Sequence, residues 1–154
     1  MTTFLRLHDV SSRFDTALQE FGGSAFALVL RVFIAWQFFK SGLVKVADWG
    51  STVALFRDEY HVPLVPPELA AAMGAAGELV LPVLLVVGLF SRPAALGLFA
   101  VNLIAVISYP QLFTFECPAA LNDHFYWGAL LLVLVAWGPG KVSMDAWLHR
   151  RAVL

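Results

Sequence analysis

The chain has 154 residues, of which 60% are apolar and 14% charged, with a net charge of -1. A water-soluble domain of this size is about half apolar and about a quarter charged, and its one small core cannot hide a larger apolar excess, so the composition argues against a soluble globular domain and for lipid as the solvent. The near-neutral charge argues against nucleic acid as a partner, and the single cysteine, Cys117, excludes an intramolecular disulfide, a paired-thiol redox motif and a thiolate metal cage.

The reading in chain order is all-α: a membrane-embedded four-helix bundle with a short periplasmic amphipathic helix between spans one and two. Residues 1–23 form a cytoplasmic or interfacial segment in which Phe4, Leu7, Val10, Phe14, Leu18 and Phe21 recur at helical spacing. This segment has neither the apolar core nor the cleavage site of a secretory signal peptide. The bundle, residues 24–138, has spans at about 24–47, 67–90, 93–113 and 122–138; the first three are long enough to cross about 30 Å of hydrocarbon, and the fourth is short unless its interfacial DHFYW residues are counted in. The first span carries Arg31, Lys40 and Lys45. The second opens with Pro67 and Glu68, holds Glu78 at mid-depth and is expected to kink at Pro82.

The third span follows a two-residue connection, Ser91 and Arg92, which forces a tight antiparallel hairpin, and it holds Asn102. The fourth begins near Asn122 or His124, with Asp123 as its expected cap, and stops at Gly138-Pro139-Gly140. Between spans one and two, WGSTVALFRDEY reads as a short amphipathic helix capping the bundle mouth, and HVPLVPP as a rigid turn. Residues 139–154 form a tail. Basic residues favour one side of the spans (Arg6, Arg13, Arg92, Lys141, Arg150, Arg151) over the other (Lys45, Arg57), so a bacterial inner-membrane, multi-pass protein with both termini cytoplasmic is expected. Trp49, Trp127 and Trp137 fall near span ends as an aromatic belt would place them, with Trp36 nearer the middle of its span.

An ionisable group inside hydrocarbon costs at least about 2.5 kcal/mol on insertion scales, which makes Arg31, Lys45 and Glu78, with the polar Asn102, the candidate cluster. Two readings stay open. Arg31 and Glu78 form a buried ion pair with Asn102 as third partner, fixing helix register; or the same residues form a polar site that binds a small headgroup or relays a proton. Lys40 and Lys45 snorkel to the headgroups; alternatively Lys45, fourteen residues from Arg31 with Phe38 between, shares its face and presents a second cation to a groove suited to an anionic or quinone-like ligand. At the outer mouth the candidates are His61, Cys117, His124 and Trp127. Their spacing matches no metal motif, so no metal is expected, and Cys117 remains a lone thiol able to pair with another protein. No nucleotide-binding glycine motif, zinc-protease helix or nucleophile elbow occurs, and the spans lack paired histidines for haem.

An arginine in the first span (LVLRVFIAWQFFKSGLVKV), a glutamate in the second ahead of a Gly-Leu-Phe-Ser-Arg-Pro turn, and a closing WGPGKVSMD together resemble the DoxX family of small four-helix membrane proteins, over roughly Leu28 to Asp145. The matching positions are Arg31, Lys45, Glu78, Arg92, Gly138, Pro139, Gly140, Ser143 and Asp145; the last five read as structural, with Ser143 or Asp145 capping the tail helix. The start of span four, LNDHFYWGAL, departs from the glycine and glutamate of many relatives. The resemblance implies a bacterial inner-membrane bundle, and related DoxD-type proteins are membrane subunits of a thiosulfate:quinone oxidoreductase. The first functional expectation is therefore a quinone-linked membrane subunit with a soluble redox partner. The alternatives are a non-catalytic anchor or assembly factor, and a small-solute or metal-handling membrane protein, which would need a homo-oligomer to enclose a path.

Overall fold

The computed structural model describes residues 22–114 and 119–152, together with His8, Ser12, Asp15 and Leu18. The amphipathic pattern expected of residues 1–23 falls largely outside the described residues, as does Cys117. The described segments form six helices: α1 Gly23–Ala47, α2 Trp49–Asp58, α3 Pro67–Val87, α4 Ser91–Ser108, α5 Ala119–Trp137 and α6 Met144–Ala152, with a 3-10 turn at Pro110–Phe113. Helices α1, α3, α4 and α5 are long and apolar enough to cross a membrane, so the chain is an all-helical, multi-pass membrane bundle. Outward-facing Phe26, Val29, Phe33, Val80, Val83, Leu96, Leu103 and Leu132 supply an apolar surface that water would not tolerate at this extent.

Local chemistry sets the element ends. Asp48 ends α1 and caps α2, its carboxylate accepting from Ser51 N at 3.0 Å and Ser51 Oγ at 2.7 Å. Pro67 opens α3, where its missing N–H costs nothing. Pro82 lies inside α3 without ending it, and leaves the Glu78 carbonyl without its usual helical donor. Helix α4 stops at Ser108, earlier than residue 113, because Tyr109 precedes Pro110 and is pushed out of the helical region to φ -119°, ψ 82°. Helix α5 is already formed at Ala119, so Asp123, expected as its cap, lies within the helix.

Between helices in lipid there is no hydrophobic driving force of the aqueous kind, and close packing of small side chains takes its place. Ala27, Ala35, Ala71, Ala75, Ala94 and Ala95 are buried at the interfaces around Leu30, Ile34, Phe38, Leu85, Leu98 and Leu131. Helices α1 and α3 approach closely at Gly42, where a Cβ would stand 2.9 Å from Leu79 Cγ and 3.1 Å from the Glu78 backbone carbon. Gly42 thereby locks α1 against α3 at the level of Glu78.

The two ends of the bundle are finished differently. At one end α2 lies across the mouth, with Phe56 and Thr52 buried beneath it. A stack of Phe56, Tyr60 and Tyr109 (centroids 4.8 and 4.9 Å apart), a Tyr109 hydroxyl donated to Glu59 at 3.0 Å, and His61 N donated to Ser108 O at 2.8 Å fasten it to α4. At the other end the α3–α4 turn and α6 are cross-braced. Asp145 accepts from Phe90 N and Ser91 N, both at 2.9 Å, and its own N–H donates to Gly88 O at 2.8 Å. Ser143 caps α6 through Ala146 N at 3.2 Å. The tail cap is therefore Ser143, whereas Asp145 caps α4. Gly88 turns the chain at φ 76°, where a Cβ would meet Arg31 and Ser143.

Candidate functional site

Glu78, 7% exposed, does not pair with Arg31. Its Oε2 lies 2.6 Å from Lys45 Nζ, and the same ammonium donates to Ser41 Oγ at 2.9 Å. The register that Gly42 locks explains the correction: Lys45 is one turn beyond Gly42, on the α2 side, whereas Arg31 is eleven residues back, about 16 Å along the helix. The expected pairing of Arg31 with Glu78 takes the ends of α1 and α3 as level, whereas at the braced end α1 runs on past the end of α3. Arg31, fully buried, instead meets the last turn of α3, donating to Val86 O at 3.1 Å and Leu85 O at 3.4 Å and to Val142 O ahead of α6. A cation placed on the orphan carbonyls of a helix C-terminus is a stabilising arrangement, and Arg31 belongs to the brace. The face shared by Arg31, Phe38 and Lys45 therefore serves opposite ends of the bundle and presents no common groove of two cations.

Asn102 is likewise paired elsewhere. Its Nδ2 donates to His124 O at 2.9 Å and its Oδ1 lies 2.8 Å from His124 Nδ1. A carbonyl oxygen only accepts, so the amide orientation is set and Oδ1 must accept from the ring. Neutral His124 then carries its proton on Nδ1 and keeps Nε2 as a basic lone pair. The ring packs edge-on to Trp127 at 5.1 Å, and Trp127 packs against Phe38 at 5.9 Å. Trp127 thus faces inward, while Trp36, Trp49 and Trp137 face outward.

These groups surround a cavity of about 830 Å3 under α2, lined by α1 (Gln37, Phe38, Lys40, Ser41), the cap residue Asp48, α2 (Ser51, Thr52), Tyr60, Glu78, Asn102, His124 and Trp127. Its volume is within the range of pockets that enclose small molecules. Its inner wall offers the Lys45 ammonium, the Glu78 carboxylate, the His124 ring nitrogen and the aromatic faces of Phe38 and Trp127. Lys40 is exposed at its rim, consistent with a snorkelling cation. Burial, reinforced by the Glu78 charge, pushes the Tyr60 hydroxyl up to about 12, so Tyr60 stays a neutral phenol at any physiological pH. Of the outer-mouth candidates, His124 and Trp127 are cavity wall, and His61 is exposed outside it, contributing its backbone N–H to Ser108. Tyr60 and Thr52 were not singled out in the sequence. The four-residue spacing of Phe56 and Tyr60 is the available signal that the aromatic face of α2 continues inward just past its end.

The DoxX family model matches residues 26–114, a span that contains Arg31, Lys45, Glu78 and Asn102 and ends before His124 and Trp127. A protein of Haemophilus influenzae described as uncharacterized is 30% identical over 141 residues, 88% of this chain and 91% of its own length. No solved structure matches the chain. A family model covering more than half of the chain, including Arg31 and the Lys45–Glu78 ion pair, together with a relative aligned along 88% of it, establishes that the chain belongs to the DoxX family.

Proposed function

We propose that this chain is a membrane subunit of a quinone-linked redox complex, and that the cavity under α2 seats the quinone head. The Lys45–Glu78 pair at 2.6 Å, forming one wall of a cavity of about 830 Å3 whose other walls include Phe38, Trp127 and His124, carries the reading. The donor set fits such a head: its carbonyl oxygens need hydrogen-bond donors, its ring needs flat apolar faces, and its reduction takes up two electrons and two protons. Lys45 Nζ supplies a donor held in place by Glu78 and Ser41. Phe38 and Trp127 supply flat faces. His124 Nε2 and the Glu78 carboxylate are proton acceptors on the cavity wall, able to take up a proton and pass it to the head, and Asn102 holds the His124 ring in one tautomer. Electrons arrive from a soluble partner protein.

The setting proposed is a bacterial inner membrane with both termini cytoplasmic. The location of Arg92, Lys141, Arg150 and Arg151 around the braced end of the bundle supports that orientation. A second reading, a non-catalytic anchor, draws support from that brace, which holds α6 rigidly to the bundle and leaves Trp147 and Leu148 outward, 39% and 44% exposed.

Mass spectrometry of lipophilic molecules extracted from protein purified in mild detergent separates the two. Quinone in the wild type and in Arg31→Met, but absent from a folded Lys45→Met/Glu78→Gln double variant, is the outcome expected. Wild-type protein free of quinone, with a soluble partner lost on truncating α6, would put the anchor reading in its place.

A further inference from the structure

A second cavity, about 170 Å3, lies on the other side of the ion pair. It shares Lys45, Glu78, Tyr60, Val101 and Ala105 with the larger one, and the rest of its wall is Phe56, Val62, Val65, Ala70, Met73, Gly74 and Ile104. Apart from the shared residues and the small Ala70 and Gly74, that wall is aromatic or aliphatic side chains and a thioether. Met73 on α3 and Ile104 on α4 are 59% and 44% exposed. Both belong to spanning helices, so the chamber opens sideways between α3 and α4 onto the face that lipid covers. The larger cavity has its rim on the other flank, at Lys40, Val44, Asp48 and Ser51 of α1 and α2, all of them exposed.

We propose that the two chambers hold two parts of one amphipathic ligand: the head lies in the larger cavity against Lys45 and Glu78, and its hydrocarbon tail passes Tyr60 into the smaller chamber and leaves between Met73 and Ile104 into the bilayer. This rests on the head site proposed above and adds that the ligand is long-tailed and enters from the membrane. A dry apolar cavity of about 150 Å3 accommodates a benzene-sized group, so the chamber takes a tail segment of about six carbons. Apolar groups gain little on moving from lipid to an apolar wall. The chamber therefore acts as a steric channel that fixes which way the head faces, and blocking it is felt as a clash.

Gly74 is the place to block it. A Cβ there would lie 3.5 Å from Phe56 Cζ, an ordinary contact, so the backbone accepts a side chain and a larger one fills the chamber. The probes are decylubiquinone and the same dimethoxy-methyl-benzoquinone head without a tail, bound to the full chain in lipid nanodiscs. Gly74→Leu fills the chamber, and Ile104→Trp blocks its exposed mouth without touching the core. Partitioning of the tail into lipid is the same for wild type and variants and cancels in their ratio. Decylubiquinone should bind both variants about tenfold more weakly, the cost of forcing extra volume into a packed site, while the tailless probe keeps its wild-type Kd. Unchanged Kd for both probes in both variants overturns the tail chamber and leaves the head site standing. Failure of either probe to bind the wild type overturns the head site and the tail chamber with it.

Discussion

Breaking the Lys45–Glu78 pair one partner at a time should destabilise the bundle far more than removing both. The carboxylate and ammonium are 2.6 Å apart, with side chains 10% and 16% exposed. Removing one member of a buried pair leaves an uncompensated charge and costs about 3–5 kcal/mol. The flanking cavity admits water to whichever charge remains, which places Lys45→Met and Glu78→Gln each at the lower end, about 3 kcal/mol. The double variant leaves no charge, only a neutral amide with its own unmet hydrogen bonds, at about 1–2 kcal/mol. Reversible unfolding of the four proteins by a denaturing detergent, in mixed micelles of one composition, closes the thermodynamic cycle. Effects that add to within about 0.5 kcal/mol would show that the two side chains do not interact, and would refute both the register set by Gly42 and the cavity wall built on it.

Two further outcomes concern the braced end. Gly88→Ala should lower stability by about 2–4 kcal/mol, because Ala is strained at φ 76° and its Cβ would lie 2.5 Å from Ser143 Cβ and against the Arg31 guanidinium; a thermal melt within a degree or two of wild type would contradict it. Burial works against the Asp145 charge, but hydrogen bonds from Ser91 and Phe90 and the charge of Arg31 outweigh it and hold the carboxyl below its ordinary 3.8. A depressed folded-state pKa means that the unfolded chain takes the proton first, so the contribution is complete above the ordinary carboxyl range and is lost as pH falls through the lower folded value. Melts from pH 6 downward should therefore show an acid-dependent loss that Asp145→Ala lacks, with that variant about 1 kcal/mol less stable at neutral pH for want of the α4 cap.

The residues of the candidate site were legible one by one, because a charge or an amide inside an apolar run of spanning length is conspicuous whatever its neighbours are. Glu78, Lys45 and Asn102 all stand on the cavity wall. Their partners were not legible. Depth counted from helix ends matched Arg31 to Glu78, yet α1 and α3 end at different levels, and an offset of a few residues moves a side chain by a whole turn. The link between Asn102 and His124 joins two helices whose rotation about their own axes no periodicity in a nearly uniformly apolar span can reveal.

What the sequence by itself determined is the solvent, the four spans, the α2 cap and the family, since each follows from composition, run length or a local motif that does not depend on how helices meet. Only the tertiary structure decided that Arg31 braces one end while Lys45 and Glu78 face each other at the other. The close approach of Gly42 to the backbone at Glu78 fixes the slide of α1 along α3 that matches this choice. In lipid, where apolar faces do not select their neighbours by hydrophobicity, such steric contacts between small residues carry the register.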